Sequence, residues 1–176
     1  MLRIGLVYGL ISGLIIITSI TLSLVFSGDE ISPALEWLGY LIMLLALSAV
    51  FFGVKRHRDI HHGGIIGFWP ALKVGLLITL VATLVYVVVW EIYLAFSGST
   101  FIDAYMAGLL EQATEKGATE SELASLTEEL EAMKTQYANP LFRVPITFLE
   151  IFPVGLIVSL ISAAILRNPR VLPASN

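Results

Sequence analysis

Residues 71–96 read ALKVGLLITLVATLVYVVVWEIYLAF, and their only charged members are Lys73 near the start and Glu91 near the end. An α-helix of this length spans about 39 Å, more than the roughly 30 Å hydrocarbon core of a bilayer. Lipid offers no partner to an exposed backbone N–H or C=O group, so the stretch predicts a membrane-spanning helix. The placement of Glu91 inside that helix is the feature that needs an explanation.

Three further apolar stretches are long enough to cross a bilayer, and they run from Ile4 to Phe26, from Leu35 to Val54 and from Ile146 to Leu166. The composition agrees, with 57% hydrophobic and 14% charged residues, whereas soluble proteins carry roughly 25% charged residues. The first stretch exceeds the roughly 7–15 apolar residues of a signal peptide, so we expect a retained helix. The predicted fold class is an all-α integral membrane protein with four transmembrane helices.

Lys and Arg residues indicate the orientation of these helices, because they concentrate in cytoplasmic loops. Three lie in the segment KRHRDIHH, residues 55–62, and others flank the first and fourth spans at Arg3, Arg167 and Arg170. The only Lys or Arg residues within 97–143 are Lys116, Lys134 and Arg143. We therefore expect both termini and a basic loop, residues 55–67, to lie in the cytoplasm.

The segment between the third and fourth spans is too long for a bare loop and predicts an extracytoplasmic helical hairpin. A first helix from Phe101 ends at Gly117, and Thr119 with Glu122 forms a capping box that starts a second helix to about Tyr137. The chain thus divides into 1–96, 97–140 and 141–176. The exposed faces of the hairpin are expected to carry Glu111, Glu115, Glu120, Glu128, Glu129 and Glu131. This acidic face is either a docking or sensing surface for a partner or a cation, or an ordinary solvated surface.

Acidic residues of three helices are expected in one layer near the outer membrane surface. Glu91 and Glu150 lie four to five residues from the outer ends of antiparallel helices, and Glu36 begins another helix there. Arg143 and Tyr93 are within reach of this layer. A charge in the membrane normally faces the bundle interior and finds a partner. The layer is either a proton or cation site, or a set of interfacial residues reaching water beside a structural arginine.

Small residues mark two candidate packing stripes. Gly5, Gly9 and Gly13 recur every four residues in the first span, and Gly155, Ser159 and Ala163 do so in the fourth. Small residues allow close approach of helix backbones, which drives association in lipid. The stripes pack either within one chain or between chains.

The basic segment and the start of the third helix are expected to contact lipid head groups through Lys55, Arg56, Arg58 and Lys73. His57 and His61 are four residues apart, a spacing that suits two metal ligands on one helical face. However, Gly63 and Gly64 follow at once and favour a turn. We therefore predict no metal site, with these two histidines as the weak candidates.

Several functions are disfavoured by composition. The chain has no cysteine, which excludes disulfides and thiolate nucleophiles, and its net charge of −4 disfavours a nucleic-acid partner. Hydrolase, nucleotide-binding and zinc-protease motifs are absent from the sequence. We therefore expect neither an enzyme nor a bound cofactor.

Two stretches resemble a known family. KRHRDIHHGGIIGFWPALKVGLL, residues 55–77, and NPLFRVPITFLEIFPVGLIVSLISAAILR, residues 139–167, are similar to small bacterial membrane proteins catalogued as domain of unknown function 4199. The resemblance implies four membrane helices with a variable acidic helical insertion before the last. It supplies no catalytic residue. We expect the chain to lie in a bacterial inner membrane.

The sequence therefore predicts a non-enzymatic, multi-pass inner-membrane protein with a structural or regulatory role. It would act through another membrane protein or through a homo-oligomer, with the lipid bilayer as its surroundings. The alternative is a small proton or cation channel or transporter that uses Glu91 and Glu150.

Overall fold

The computed structural model describes residues 1–27, 33–98 and 100–174, and it describes their side chains except at 20–27 and 33–36. These residues form helices and no strand. In chain order the helices are α1 (Leu2–Ser27), α2 (Pro33–Leu47), α3 (Ala49–His61), α4 (Phe68–Ser97), α5 (Thr100–Glu115), α6 (Glu120–Tyr137) and α7 (Pro140–Leu166).

The prediction of an all-helical chain with four membrane-type helices is confirmed. Four helical segments are long and apolar enough to cross a membrane, namely Leu2–Ser19, Trp37–His61, Phe68–Ser97 and Pro140–Leu166. The second of these combines α2 and α3, since the amide of Ser48 still donates to the carbonyl of Leu44 at 2.9 Å. The four segments leave two ends: an N-terminal end, where α1 and α4 begin, and an opposite end that carries α5 and α6.

The basic segment expected as part of a loop is helical. α3 continues through Lys55 to His61, and it ends where Gly63 and Gly64 adopt positive φ angles of 56° and 86°. The amide of Gly64 donates to the carbonyl of Arg58 at 3.2 Å, which closes the last turn. The glycines therefore stop the helix only after the basic residues, and only residues 62–67 connect α3 to α4.

α4 is the central helix, and α1 lies along one side of it. Gly5, Gly9 and Gly13 face Leu77, Val81 and Val85 in that order, so α1 and α4 run parallel. A β-carbon added at Gly9 would lie 2.5 Å from Cβ of Val81 and 2.8 Å from the carbonyl oxygen of Ile78. The glycine stripe of α1 therefore packs within the chain, because only glycine lets these two backbones approach so closely.

α7 lies along another side of α4 and runs antiparallel to it. Gly75 of α4 faces Ser159, and Gly155 of α7 faces Thr79. The hydroxyls of Thr79 and Ser159 are 3.0 Å apart, and both donate to the carbonyl of Gly155, at 3.1 and 2.7 Å. Ala163, the third residue of the predicted stripe, is fully buried. The hydroxyls of Thr79 and Ser159 are thus satisfied inside the protein, as lipid requires.

The outward side of α4 is as apolar as its buried side. Val74, Ile78 and Ala82 are fully buried, whereas Leu84 and Val88 are 49% and 56% exposed. A water-soluble helix would present polar residues on its exposed face. The surface of the bundle therefore suits hydrocarbon, in agreement with four membrane-type helices.

α5 and α6 fill the segment between the third and fourth membrane-type helices. Gly117 joins them at a φ of 83°, and the predicted capping box is confirmed: Thr119 Oγ1 accepts from the amide of Glu122, and the Glu122 carboxylate accepts from the amide of Thr119. Lys134 of α6 binds Asp103 of α5 at 2.5 Å. The position of this helix pair outside the cytoplasm stays a prediction.

We expect Gly9→Ala to lower the free energy of unfolding by about 1–3 kcal/mol, since the added methyl overpacks the α1–α4 contact. The matched control is Gly39→Ala, because a β-carbon at Gly39 meets nothing within 4 Å. Equilibrium unfolding in mixed micelles measures both variants. Equal stability of the two variants would contradict this packing.

Candidate functional site

The charged residue that interrupts the third apolar stretch is paired with arginine. Glu91 of α4 accepts two hydrogen bonds from Arg143 of α7, from Nε at 2.7 Å and from Nη2 at 2.5 Å. The side chain of Glu91 is 25% exposed, and that of Arg143 is 14% exposed. The remaining nitrogen, Nη1, donates to the carbonyl of Tyr137 at 3.0 Å. One guanidinium thus joins α4 and α7 to the last residue of α6.

Glu150 has a different partner at a different depth. Its carboxylate accepts a hydrogen bond from the hydroxyl of the buried Tyr86 at 3.2 Å. Along α4 and α7, the step from the Glu91–Arg143 pair to the Tyr86–Glu150 pair is about 8–10 Å at 1.5 Å per residue. The expectation of one shared acidic layer is therefore corrected: the antiparallel register of α4 and α7 separates the two carboxylates into successive layers.

An aromatic cluster supports the base of α6 beside these pairs. The indole nitrogen of Trp90 donates to the hydroxyl of Tyr137 at 3.0 Å. Trp90 stacks on Tyr86 and Tyr93 with ring centroids 6.3 and 5.5 Å apart, and Phe101 packs against it edge-on. Burial raises the pKa of Tyr137, so its phenol stays neutral at physiological pH. Tyr93 therefore packs in an aromatic cluster. Glu36, the third acidic residue of the expected layer, lies outside the residues whose side chains the structure describes.

Two cavities flank the C-terminal part of α6. One of about 310 Å³ is lined by Glu91, Arg143 and Lys134, among others, and one of about 430 Å³ is lined by Glu150 and Met133, among others. The charges in the first cavity are already paired, since Arg143 binds Glu91 and Lys134 binds Asp103. In the described part of the chain, no group of three His, Asp or Glu residues is placed to hold a metal ion. The first cavity therefore offers apolar walls and paired charges, and the second offers apolar walls and a Glu150 carboxylate that accepts a hydrogen bond from Tyr86.

The acidic faces of α5 and α6 are exposed. The six glutamates expected there are all exposed, at Glu111, Glu115, Glu120, Glu128, Glu129 and Glu131. The facing stripes are more protected, and Met106 and Leu130 are buried. The helix pair thus presents carboxylates outward from the end of the bundle that carries it.

Arg58 corrects the expected set of head-group contacts. Its side chain is fully buried, and it donates to the carbonyls of Val171 and Leu172 at 2.9 and 2.5 Å and to Asp59 at 2.8 Å. Lys55 binds the same Asp59 at 2.6 Å. Arg58 is therefore an anchor for the C-terminal tail, and it cannot reach lipid. Arg56 and Lys73 are exposed at the N-terminal end of the bundle.

The weak metal candidates lie side by side. The rings of His57 and His61 have centroids 4.8 Å apart, and His62 is 5.3 Å from His57. His57 is buried, and its Nδ1 has no hydrogen-bond partner among the described residues. The helical spacing of four did bring the first two imidazoles together, because α3 continues to His61.

Sequence reasoning missed the roles of Arg58 and Tyr137. The available signal for Arg58 was the i, i+4 spacing of Lys55 and Asp59, which predicts an ion pair on a helix and thus a helical basic segment. Nothing local to Tyr137 indicated its contacts with Trp90 and Arg143, since these come from two other helices.

Comparison with known proteins confirms the family resemblance. A family model described as "Protein of unknown function (DUF4199)" matches residues 7–168. No curated protein and no solved structure matches the chain.

We expect Arg143→Gln to lower the free energy of unfolding by about 1–3 kcal/mol, because it leaves Glu91 unpaired within a membrane-type helix. Glu91→Gln/Arg143→Gln should recover part of this loss, since no unpaired charge remains. Equilibrium unfolding in mixed micelles measures both.

The control for this cycle is Glu128→Gln, which removes an exposed carboxylate on α6 and should change stability by less than about 0.5 kcal/mol. Strictly additive effects of Glu91→Gln and Arg143→Gln on the free energy of unfolding would contradict a coupled pair.

Proposed function

The chain belongs to the DUF4199 family, and we propose that it is a non-enzymatic, multi-pass membrane protein with a structural or regulatory role. It presents the acidic α5–α6 pair to another membrane protein or to a second copy of itself. The single observation that carries this proposal is the bridge from Arg143 to Glu91 and to the carbonyl of Tyr137. That bridge holds the base of α6 on the membrane-type helices, so its acidic surface has a defined position.

The chemistry of the hydroxyl groups supports a non-enzymatic role. Ser12 donates to the carbonyl of Ala46 at 2.9 Å, and Thr147 donates to the carbonyl of Arg143 at 3.1 Å. A catalytic hydroxyl instead needs a general base as its hydrogen-bond partner. The Ser12 hydroxyl thus joins α1 to α2, and the Thr147 hydroxyl bonds to the backbone of its own helix.

We place the protein in the inner membrane of a bacterium, with both termini in the cytoplasm. The support is the distribution of Lys and Arg over the two ends of the bundle. The N-terminal end holds Arg3, Lys55, Arg56, Arg58, Lys73, Arg167 and Arg170. The end that carries α5 and α6 holds Lys116, Lys134 and Arg143. In this orientation α5 and α6 are extracytoplasmic.

Photo-crosslinking tests the proposed interaction. A photoreactive residue at the exposed Glu128 of α6 should give a product of discrete mass in native membranes, because a bound partner lies against that face. A product of twice the chain mass indicates self-association, and another mass indicates a different protein. The matched control is Leu84, which is 49% exposed on the apolar side of α4. No discrete product from Glu128, or the same product from Leu84, would contradict the proposal.

A proton or cation pathway is the second candidate, and the α4–α7 seam favours it. Thr83 is fully buried with a hydroxyl that has no partner among the described residues. It lies between the Tyr86–Glu150 pair and the Thr79–Ser159 pair along α4. Carboxyl groups inside membrane segments often belong to proton relays, and Glu150 supplies one at one end of this series of hydroxyl groups.

The close packing at Gly75 and Gly155 argues against conduction through this seam. We therefore expect liposomes that contain the protein to show the same proton and potassium flux as empty liposomes. Flux above that level in the native chain, lost in Glu150→Gln and kept in Glu128→Gln, would establish the second candidate instead.

A further inference from the structure

A lateral groove lies between α1 and α3 at the N-terminal end of the bundle. It has a volume of about 450 Å³, and its lining includes Arg3 and Val7 of α1 and Arg56 and Ile60 of α3. The groove lies at the end of the bundle where α1 and α4 begin. The Glu91–Arg143 pair lies at the opposite end, and its residues are distant from those of the groove along the chain. Neither the acidic surface nor the α4–α7 seam uses it.

The two arginines of the groove have no partner in the described part of the chain. Arg3 and Arg56 are both exposed, and neither forms a hydrogen bond or an ion pair there. The only acidic residue of α1 and α3 is Asp59. Its carboxylate is already bound by Lys55 and Arg58, at 2.6 and 2.8 Å. The positive charge of the groove is therefore available to an anion.

The walls of the groove are apolar and belong to membrane-type segments. Val7 and Ile60 are 45% and 56% exposed, while Ile4 is buried and Tyr8 packs against the position of Gly53. Residues 4–8 and Ile60 lie within the segments Leu2–Ser19 and Trp37–His61. From Arg3 to Val7 the α1 surface descends about 6 Å into the bilayer. The groove is thus cationic at its mouth and apolar along its depth.

We propose that this groove binds one anionic phospholipid. The phosphate lies between the guanidinium groups of Arg3 and Arg56, and an acyl chain lies along Val7 and Tyr8, which line the part of the groove deeper in the bilayer. Guanidinium groups bind phosphate oxygens through paired hydrogen bonds. An acyl chain would contact the apolar walls of the groove, whereas a free phosphate would leave them uncovered. This site is independent of the proposed partner surface of α5 and α6.

Native mass spectrometry of the purified full chain tests the site, with phosphatidylglycerol as the probe and phosphatidylcholine of the same acyl chains as the neutral comparison. One phosphatidylglycerol should remain bound to the native chain more tightly than phosphatidylcholine. Arg3→Ala/Arg56→Ala should weaken it by about five-fold per arginine. Neither arginine supports another side chain, so the double variant should keep its helical circular dichroism.

Two further variants make the result specific. Arg167→Ala/Arg170→Ala removes the same charge from exposed residues at the same end, outside the groove, and should leave the affinity unchanged. Val7→Trp keeps both arginines and should weaken binding by filling the apolar wall. Equal affinity for the two lipids, unchanged affinity in Arg3→Ala/Arg56→Ala, or an equal loss in the Arg167/Arg170 variant would overturn the proposal. Displacement of the lipid by glycerol phosphate at equal concentration would also overturn it, since the apolar walls would then contribute nothing.

Discussion

The close approach of α1 and α7 to α4 is the constraint on which the rest of the structure depends. In lipid, apolar side chains gain little by leaving hydrocarbon, so association of helices relies on van der Waals contact and hydrogen bonds. Gly9 admits Val81 on one side of α4, and Gly155 admits Thr79 on another. With the backbones this close, the register of both helices against α4 is determined. The contact of Glu91 with Arg143 follows from the register of α7 against α4.

The same register explains how the chain tolerates charges near hydrocarbon. It brings Arg143 to Glu91, so the carboxylate inside the third apolar stretch is partly buried and forms an ion pair with the guanidinium. At the opposite end, Arg58 is buried against the carbonyls of the C-terminal tail, and Asp59 balances its charge. Glu91 is satisfied by a neighbour from another helix, and Arg58 by the C-terminal tail and by Asp59 of its own helix. A membrane protein needs this arrangement because water is not available to solvate an unpaired group.

The two ends of the bundle differ in the chemistry that they present. The end with α5 and α6 carries exposed carboxylates on helices held in place by Arg143 and Tyr137. The N-terminal end carries unpaired arginines beside apolar walls. The seam between them is closely packed at Gly75 and Gly155, and the hydroxyls of Thr79 and Ser159 there donate to the carbonyl of Gly155. These features support the proposed presentation of a surface at the membrane over the passage of an ion through it.

The sequence by itself determined the four membrane-type helices and the boundary at Gly117 with its capping box. Length, apolar composition and local capping chemistry are properties of short segments, and no distant contact is needed to read them. Only the tertiary structure decided that Glu91 binds Arg143 while Glu150 binds Tyr86, that Arg58 is buried, and that Arg3 shares a groove with Arg56. These outcomes depend on the rotation and axial shift of one helix against another. Those two quantities are set by side-chain packing between segments that lie 34 to 114 residues apart along the chain.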